Sequence, residues 1–466
     1  MHPRKFRLGL LAVPSALTLA VALASGAHAV ELKDAVQLAV DTNPQISQAI
    51  MDKQAIEFER KQAQGLYLPR VNVEASAGAR KLDNPTRRSI GLDHHTLYPV
   101  EAGVTAEEVL FDSGARRAEL ERQASRTDSA AHRVGERSEF IALDVVREYL
   151  DYMLQQRLVA IAQDNIAFHQ AMVGDLRTGV QQGSISIADQ QQAEERYQAS
   201  RARLTQAQED MMEASIGFMS RTGLALDSAT LPPPITDKLP PDVNTAVGLA
   251  RTNNPRIRIA QADIDAATAL IRAAKADYGP KVSLEGTARG GHDVDGFEGQ
   301  TNDFTARVVV RWTVFDGFIR NANVQEQIRR ASEQRYLLHE VSREVEQDVQ
   351  SAWNRRNQQT TLLSDLTAQS RVSADLVNSY REQFRVGRRS LLDVLDAQNT
   401  NYNAQVLAET ARFAELFAEY KILAATGTLL DSMGINRPQD SADGARKRFG
   451  VAPTPPAELN ARHHVD

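Results

Sequence analysis

Cysteine is absent from all 466 residues of the chain. The protein therefore has no disulfide bond, no cysteine nucleophile and no N-terminal cysteine that could carry a lipid. Aromatic residues are also scarce, at 6% of the sequence, while charged residues make up 24%. The longest segments are rich in Ala, Gln, Arg, Glu and Leu, which favour helices. Stability is expected to come from helix packing and from assembly.

Proline is missing from two long segments, residues 113–222 and 317–426. Because proline breaks the interior of a helix, each segment can hold one very long helix, a turn and a shorter helix. The turns are predicted at Gly183 and Gly387. A helix from 317 to the second turn would be about 100 Å long at 1.5 Å per residue, more than a globular core requires.

Beyond the first 29 residues, no apolar run is long enough to predict a membrane-spanning helix. Residues 1–29 themselves are predicted to be a secretory signal peptide. Three basic residues precede an apolar stretch at 8–23, and the motif Ala27-His28-Ala29 follows it. Removing this segment changes the formal net charge from −6 to −9, with 51 basic against 60 acidic residues. That charge argues against a general nucleic-acid binder.

The two halves of the chain match each other at one constant spacing, which indicates an internal duplication. We divide the chain into repeat one at 30–230, a proline-rich linker at 231–241 and repeat two at 242–436. The tail at 437–466 is predicted to be disordered because it combines proline and charge with little apolar pattern. The matching residues lie 204 positions apart: Arg177 and Arg381, Gly183 and Gly387, Ser186 and Ser390, Asp189 and Asp393, Gly223 and Gly427.

Within each repeat the helical pattern changes to a period of two, at residues 69–111 and at 280–315. Alternation over about ten residues is typical of strands long enough for a tilted crossing of a bilayer. The fold class predicted is therefore mostly α with membrane β-strands: long coiled-coil helices plus two β-hairpins per chain. The residues predicted to face the membrane are Val71, Val73, Val308, Val310 and Trp312.

Four strands cannot close a barrel, and an open sheet edge is not tolerated in hydrocarbon. Three copies of the chain would supply twelve strands, and the long helices would continue that ring as a tube. The alternative is that the hairpins are ordinary two-sided hairpins of a soluble protein. That alternative leaves them without a core, because both lie at the far ends of the long helices.

These features resemble the TolC-like outer-membrane channel family over about residues 31–434. The resemblance is carried by the duplication, by Leu110-Phe111-Asp112-Ser113-Gly114 and Val314-Phe315-Asp316-Gly317, and by Gly387-Arg-Arg-Ser-Leu-Leu-Asp-Val-Leu-Asp-Ala. It implies a homotrimer with a twelve-stranded barrel in the outer-membrane lipid and a periplasmic α-helical barrel. It also implies a periplasmic adaptor and an inner-membrane transporter of the ABC or RND type as partners.

The function expected is an exit duct across the periplasm and outer membrane, without catalysis, cofactor or metal. The wording around Gly183-Ser-Ile-Ser and Arg388-Arg-Ser-Leu-Leu-Asp-Val-Leu-Asp is most similar to members that serve type I protein secretion. Small-molecule efflux is the alternative. A soluble periplasmic coiled-coil scaffold is a more remote one, and an exported enzyme lacks any converged Ser/His/Asp set or Gly-rich phosphate loop.

Two carboxylates of the second turn are candidates for a channel gate. Ser390 and Asp393 fit a helix-capping pattern, as do Ser186 and Asp189. Asp396 lies one turn beyond Asp393, and its counterpart in repeat one is Gln192, so capping does not explain it. In a trimer the two acids would form stacked rings of charge.

The resemblance places the periplasmic constriction at Asp393 and Asp396 and puts Arg389 in ion pairs that hold it closed. Phe384 stands where a tyrosine is usual, so this member is expected to sit closer to open. The turns, with Gly183, Ser186, Asp189, Gly387 and Ser390, are expected to contact the adaptor. Four further arginines are interpreted as solvated helix faces: Arg116, Arg117, Arg329 and Arg330.

Overall fold

The computed structural model describes residues 30–91 and 94–447. The predicted signal peptide at 1–29 and the last part of the tail lie outside the described residues. The helices are α1 Leu32–Thr42, α2 Pro44–Gly65, α3 Pro85–Ser89, α4 Ala115–Gln181, α5 Ile187–Thr222, α6 Val243–Asn253, α7 Pro255–Ala276, α8 Ile319–Arg385, α9 Leu391–Thr426 and α10 Leu429–Met433. The strands are β1 Arg70–Ala77, β2 Arg80–Lys81, β3 Thr96–Leu97, β4 Val100–Phe111, β5 Lys281–His292 and β6 Gln300–Arg311.

The four main helices of repeat one have the same lengths as those of repeat two. α1 and α6 have 11 residues each, α2 and α7 have 22, α4 and α8 have 67, and α5 and α9 have 36. The starts of α2 and α7 are also built alike, with an asparagine cap, Asn43 or Asn254, before a proline in the first turn. The duplicated long-helix architecture expected from the sequence is confirmed.

Among the described residues, no helix combines the length and the apolar character that a membrane crossing requires.

The four long strands form one antiparallel sheet in the order β1-β4-β5-β6. Each hairpin pairs within its own repeat, and β4 pairs with β5, which joins the two repeats. β1 and β6 are the edges of this sheet. The loop between β5 and β6 is shorter than the polar segment 290–303 suggests, because the ladder continues from His292 to Gln300.

The two faces of this sheet differ sharply in chemistry. One face is apolar and open to the outside: Val73 lies opposite Val104, and Leu284 opposite Val308. The predicted membrane-facing residues of β1 and β6 lie on this face, and all are exposed: Val71, Val73, Val308 and Val310. The other face carries ion pairs between strands, such as Arg307 with Glu285 at 2.9 Å and Arg289 with Glu101 at 3.3 Å.

The largest apolar core lies at mid-height, where α1, α4, α5, α9 and α10 meet. Among its fully buried side chains are Val36, Val145, Tyr149, Phe218 and Leu423. Away from this core the long helices bury narrow seams, such as Leu338, Val345 and Val349 of α8. Narrow seams fit helices that contact neighbours along one side only.

The prediction of a disordered tail is wrong for residues 437–447, which pack onto the helices. The guanidinium of Arg437 lies 2.9 Å from Glu139 of α4, and the ammonium of Lys53 of α2 lies 3.1 Å from Asp440. Arg446 is buried between two carboxylates of α4 and α7. The charged residues of this segment form ion pairs with charged residues of α2, α4 and α7, and composition alone does not reveal these partners. Residues 448–466 lie outside the described residues.

Candidate functional site

The two helical turns far from the sheet share one backbone design. Gly183 and Gly387 have φ of +72° and +73°, a conformation in which a side chain is strained. Ser186 and Ser390 then begin the next helices, α5 and α9. Their hydroxyl oxygens accept the backbone N–H groups three residues on, at 3.1 and 3.2 Å. Each turn is therefore specified locally by a glycine and a serine cap.

Asp393 is both a capping residue and a charged group. Its carboxylate accepts the hydroxyl of Ser390 at 2.8 Å and the backbone N–H of Ser390 at 3.3 Å, which completes a capping box. The Arg389 guanidinium lies 3.7 Å away. The Ser390 hydrogen bonds first, and then the charge of Arg389, hold the pKa of Asp393 below its usual range. Asp393 is therefore ionised at neutral pH.

Asp189 occupies the matching position in repeat one. Its carboxylate accepts the Ser186 hydroxyl at 2.7 Å, and its own N–H donates to that same hydroxyl oxygen. Capping accounts for these contacts of Asp189.

Asp396 lies one turn further along α9 and is mostly exposed, at 61% of its side chain. Its carboxylate is 3.7 Å from the guanidinium of Arg196 on α5. This pair joins the α4–α5 hairpin to the α8–α9 hairpin. Sequence reasoning missed Arg196, because its counterpart in repeat two is Thr400 and no motif surrounds it.

More polar contacts connect the same two hairpins above Asp396. Arg203 donates to the side chain of Asn399 at 2.9 Å, and its guanidinium lies 4.9 Å from the ring centre of Tyr402. Gln398 donates to Asn165 of α4 at 2.9 Å in a buried site. These polar contacts lie beside an apolar cluster that also joins the two hairpins near the turns.

Arg389 makes its contacts within its own hairpin. Its Nε donates to Gln383 at 3.1 Å, and its guanidinium stacks 4.2 Å from the ring centre of Tyr380. With Asp393, these neighbours all belong to the α8–α9 hairpin. The ion pair of Arg196 with Asp396, in contrast, reaches across to the other hairpin.

Phe384 is partly buried in an apolar cluster close to the turns. It packs against a cluster whose buried side chains come from α4, α5 and α9. Beside this cluster, His169 is buried, and burial, followed by the charges of Arg203 and Arg196, lowers its pKa to about 4. His169 is therefore neutral at physiological pH. The core of the cluster is Met172, Val173, Leu176, Ala193, Leu391, Val394 and Leu395.

The junction between strand and long helix is a second site that the sequence analysis interpreted only in part. Arg116 is mostly buried, not solvated as expected, because both its backbone N–H and its guanidinium donate to Asp112 at 2.9 Å. Its guanidinium also lies 4.6 Å from the ring centre of Tyr67. The aspartate of the Phe-Asp motif thus pairs with an arginine in the first turn of α4, and we call this pair an arginine lock.

Repeat two has the same lock at the start of α8. Asp316 accepts the backbone N–H of Arg320 at 3.0 Å and its Nε at 2.7 Å. The Arg320 guanidinium lies over the ring of Tyr278. The duplication therefore extends to side-chain contacts at both junctions.

Within the described ranges, no group of three or more His, Asp or Glu side chains is placed to hold a metal ion.

Comparison with known proteins gives concordant matches. The family model "Outer membrane efflux protein" matches residues 35–224 and 246–428. The chain is 25% identical to the outer membrane efflux protein BepC of Brucella suis, over 74% of this chain and 75% of that protein. It is 22% identical to the alkaline protease secretion protein AprF of Pseudomonas aeruginosa, over 87% and 86%. The crystal structure of the Campylobacter jejuni CmeC outer membrane channel superposes with a TM-score of 0.75 at 14% identity, over 92% of this chain and 89% of that one.

Proposed function

Because the chain belongs to the outer membrane efflux protein family, we propose that it is the exit duct of a type I protein-secretion system. The protein is an outer-membrane export channel of a tripartite system that extends into the periplasm, and it is not an enzyme.

Protein cargo is supported by the wording of the two turns and by the similarity to a protein named for alkaline protease secretion. Small-molecule efflux is the second candidate, because BepC, at 25% identity, is named an efflux protein. Both candidates use the same duct but differ in the inner-membrane transporter that delivers the cargo. Secretion would use an ABC transporter, whereas efflux would use a transporter of the ABC or RND type.

The four-stranded sheet is the observation that best supports a membrane channel. Its mainly apolar face is exposed on β1 and β6 and partly exposed on β4 and β5, and its other face is ion-paired. Its edge strands β1 and β6 have no partner strand among the described residues. Unpaired edges in hydrocarbon cost several kcal/mol per backbone group. A ring of three chains would pair β6 of each copy with β1 of the next and close twelve strands.

We place the adaptor contact at the two turns, with Gly183, Ser186, Asp189, Gly387 and Ser390. These residues lie at the ends of the long helices farthest from the sheet. Ser186, Asp189 and Ser390 make capping contacts there, and the turn residues around them are mostly exposed. The inner-membrane transporter would meet the duct at the same end.

The gate is proposed at Asp393 and Asp396. In a trimer the two exposed acids would form two stacked rings of three charges, which attract cations and bind multivalent ones. The Arg196–Asp396 pair and the Arg203–Asn399 hydrogen bond tie one hairpin to the other at this level. Opening would require these polar contacts and the apolar cluster between the hairpins to separate. Phe384 packs at the edge of that cluster, and Arg389 pairs with Asp393 within the α8–α9 turn.

Closure of the barrel can be tested by cross-linking, because the chain has no native cysteine. One cysteine is placed in β1 and one in β6, at edge positions that closure would bring together. Oxidised membranes should then contain covalent dimers and trimers, whereas either single-cysteine variant should stay monomeric on a denaturing gel. A purely monomeric product from every register of the double variant would refute the shared barrel.

The cargo is tested by deleting the protein from its own cell. Loss of a secreted protein from the medium, with unchanged tolerance to toxic small molecules, supports secretion. Loss of tolerance with an unchanged set of secreted proteins supports the efflux candidate instead. Complementation with the wild-type gene should restore the lost activity and controls for effects of the deletion on neighbouring genes.

A further inference from the structure

The polar face of the four-stranded sheet carries equal numbers of basic and acidic side chains. Within β1, β4, β5 and β6 these side chains alternate with the apolar ones of the opposite face. The basic residues of the polar face are Arg70, Lys281, Arg289, Arg307 and Arg311, and the acidic residues are Glu74, Glu101, Glu107, Glu285 and Asp303. Five cations against five anions give this face a formal charge of zero, whereas the whole chain carries −6.

Two residues of β5 connect most of these charges. Arg289 pairs with one acid on each neighbouring strand, Glu101 and Asp303, both at 3.3 Å, and with Asp295 of the loop after β5. Glu285 pairs with two arginines of β6, Arg307 and Arg311. We name Arg289 and Glu285 the two hubs, because one is a cation among acids and the other an acid among cations.

Ion pairing alone does not produce the balance. Three arginines and four acids of the polar face have ion-pair partners within the sheet, which leaves one negative charge. Arg70, Lys281 and Glu74 make no ion pair with a described residue, and together they add one positive charge. These three unpaired residues therefore bring the sum to zero, although pairing between strands does not require them.

A row without charge separates the two hubs. It runs straight across the sheet and consists of Asn72, Thr105, Thr287 and Thr305. We name this row the uncharged belt. Neighbouring strands are about 4.8 Å apart, and the Debye length is about 10 Å at 0.1 M salt. The charges of both hubs and their partners thus act on the belt at the same time and oppose each other there.

We propose that the polar face is a charge-compensated lumen wall, on which the exit section of the duct attracts neither sign of charge and the two hubs maintain this balance. The inference rests on the proposed closure of the barrel by three chains. Conduction requires that whatever passes be bound weakly enough to leave again. A compensated wall meets this condition for cargo that carries both signs of charge, such as an extended polypeptide.

The reactivity of a single cysteine tests the balance, because the chain has no native cysteine. The probe is Thr105→Cys in the uncharged belt, and Val104→Cys on the apolar face is the matched control, since both side chains are exposed. Protein in phospholipid vesicles is treated with a cationic or an anionic methanethiosulfonate, the ethyltrimethylammonium or the ethylsulfonate. At about 0.1 M salt, where distant charges are screened, the ratio of the cationic to the anionic rate, divided by that for free 2-mercaptoethanol, measures the local potential.

We expect a normalised ratio of about one at Thr105→Cys, as for a thiol in neutral surroundings. Arg289→Gln should raise the ratio several-fold and Glu285→Gln should lower it several-fold, because each removes one charge per subunit and leaves its partners uncompensated. A several-fold preference for either reagent in the parent would overturn the proposal. A ratio that neither glutamine variant moves would overturn it as well.

A second pair of variants adds charge without removing an ion pair, in case loss of a hub disturbs the strands. Thr287→Glu and Thr287→Lys each place a charge in the belt, on the strand next to the probe. They should move the ratio several-fold in opposite directions. The same ratio in both variants would show that charge on this face does not govern the lumen, and the proposal would fall.

The control at Val104 distinguishes a failed balance from a failed barrel. Lipid should protect Val104→Cys in vesicles, while Thr105→Cys reacts. If Val104→Cys reacts as fast as Thr105→Cys, or if Thr105→Cys does not react, the sheet does not enclose a lumen, and the proposed closure fails together with this inference. If Thr105→Cys reacts selectively but strongly prefers one reagent, the closure stands and only the balance fails.

Discussion

Arg446 joins carboxylates of the two repeats: its guanidinium lies 2.9 Å from Asp128 on α4 and 2.6 Å from Asp265 on α7. All three side chains are less than 10% exposed. Burial by itself would raise the pKa of Asp128, but backbone N–H groups, led by that of Gly444, and the Arg446 guanidinium outweigh burial and lower it. The segment after α10 therefore acts as a strap that neutralises buried acids where the repeats meet.

Replacing Arg446 with methionine should strongly destabilise the protein. The substitution leaves Asp128 and Asp265 buried without their cation, and breaking a buried pair in this way typically costs about 3–5 kcal/mol. The measurement is the unfolding midpoint in detergent. Lys447→Met is the matched control, because Lys447 is exposed. Equal midpoints for the two variants would show that the strap contributes little.

Removing the two acids of the proposed gate should abolish block of the channel by trivalent cations in planar bilayers. Asp393→Ala with Asp396→Ala deletes both proposed rings, and Asp396→Ala alone should weaken block without disturbing the capping box of Ser390. Asp189→Ala removes a similar cap from the other turn and should leave block unchanged. If the double variant is still blocked at wild-type concentrations, the acids are not the constriction.

Stability should depend on pH through Glu139, which is 4% exposed and faces Arg437. Burial raises the pKa of Glu139 to about 7, although Arg437 opposes this shift. The folded state thus binds this proton more tightly than the unfolded chain. The stability that this proton confers is complete below about pH 4.5 and is lost as the pH rises to about 7.

Glu139→Gln should therefore unfold at nearly the wild-type midpoint at pH 4 and be more stable than wild type at pH 8, by at most about 3 kcal/mol. Arg437 keeps a partner in the variant, because Asp431 lies 3.0 Å away. Urea unfolding at the two pH values measures the difference. A gain that is the same at both would mean that ionisation of Glu139 is not its cause.

Phe384→Tyr should favour the closed state of the channel. The resemblance to the family places a tyrosine here, and one added hydrogen bond of about 1 kcal/mol would shift the ratio of open to closed channels roughly fivefold. Single-channel recording gives the open fraction. Phe168→Tyr adds a hydroxyl to the same apolar cluster and serves as the control. An open fraction that rises, or that changes equally in both variants, would count against the role assigned to Phe384.

Much of the architecture follows from signals within a few residues. The turns at Gly183 and Gly387 need a positive φ, and the serines that follow cap the next helix. The turn of each helical hairpin was therefore predictable. The segments with a period of two form β1, β4, β5 and β6. They were also predictable, because successive side chains of any strand point to opposite faces.

Contacts between distant segments were not predictable in this way. Arg196 meets Asp396, and Arg446 meets Asp128, only because packed helices bring residues 200 to 318 positions apart to the same height. An isolated arginine on a polar helix looks the same in sequence whether it is solvated or paired, as Arg116 illustrates.

By itself, the sequence determined the duplicated helices, the turns and the two-faced strands, because helix propensity, glycine geometry and strand alternation are local properties. Only the tertiary structure decided that β4 joins β5, that the strap of residues 437–447 is ordered and that charges of the polar face pair between strands. These depend on which surfaces meet, and burial of charge or of apolar area is settled only when they do.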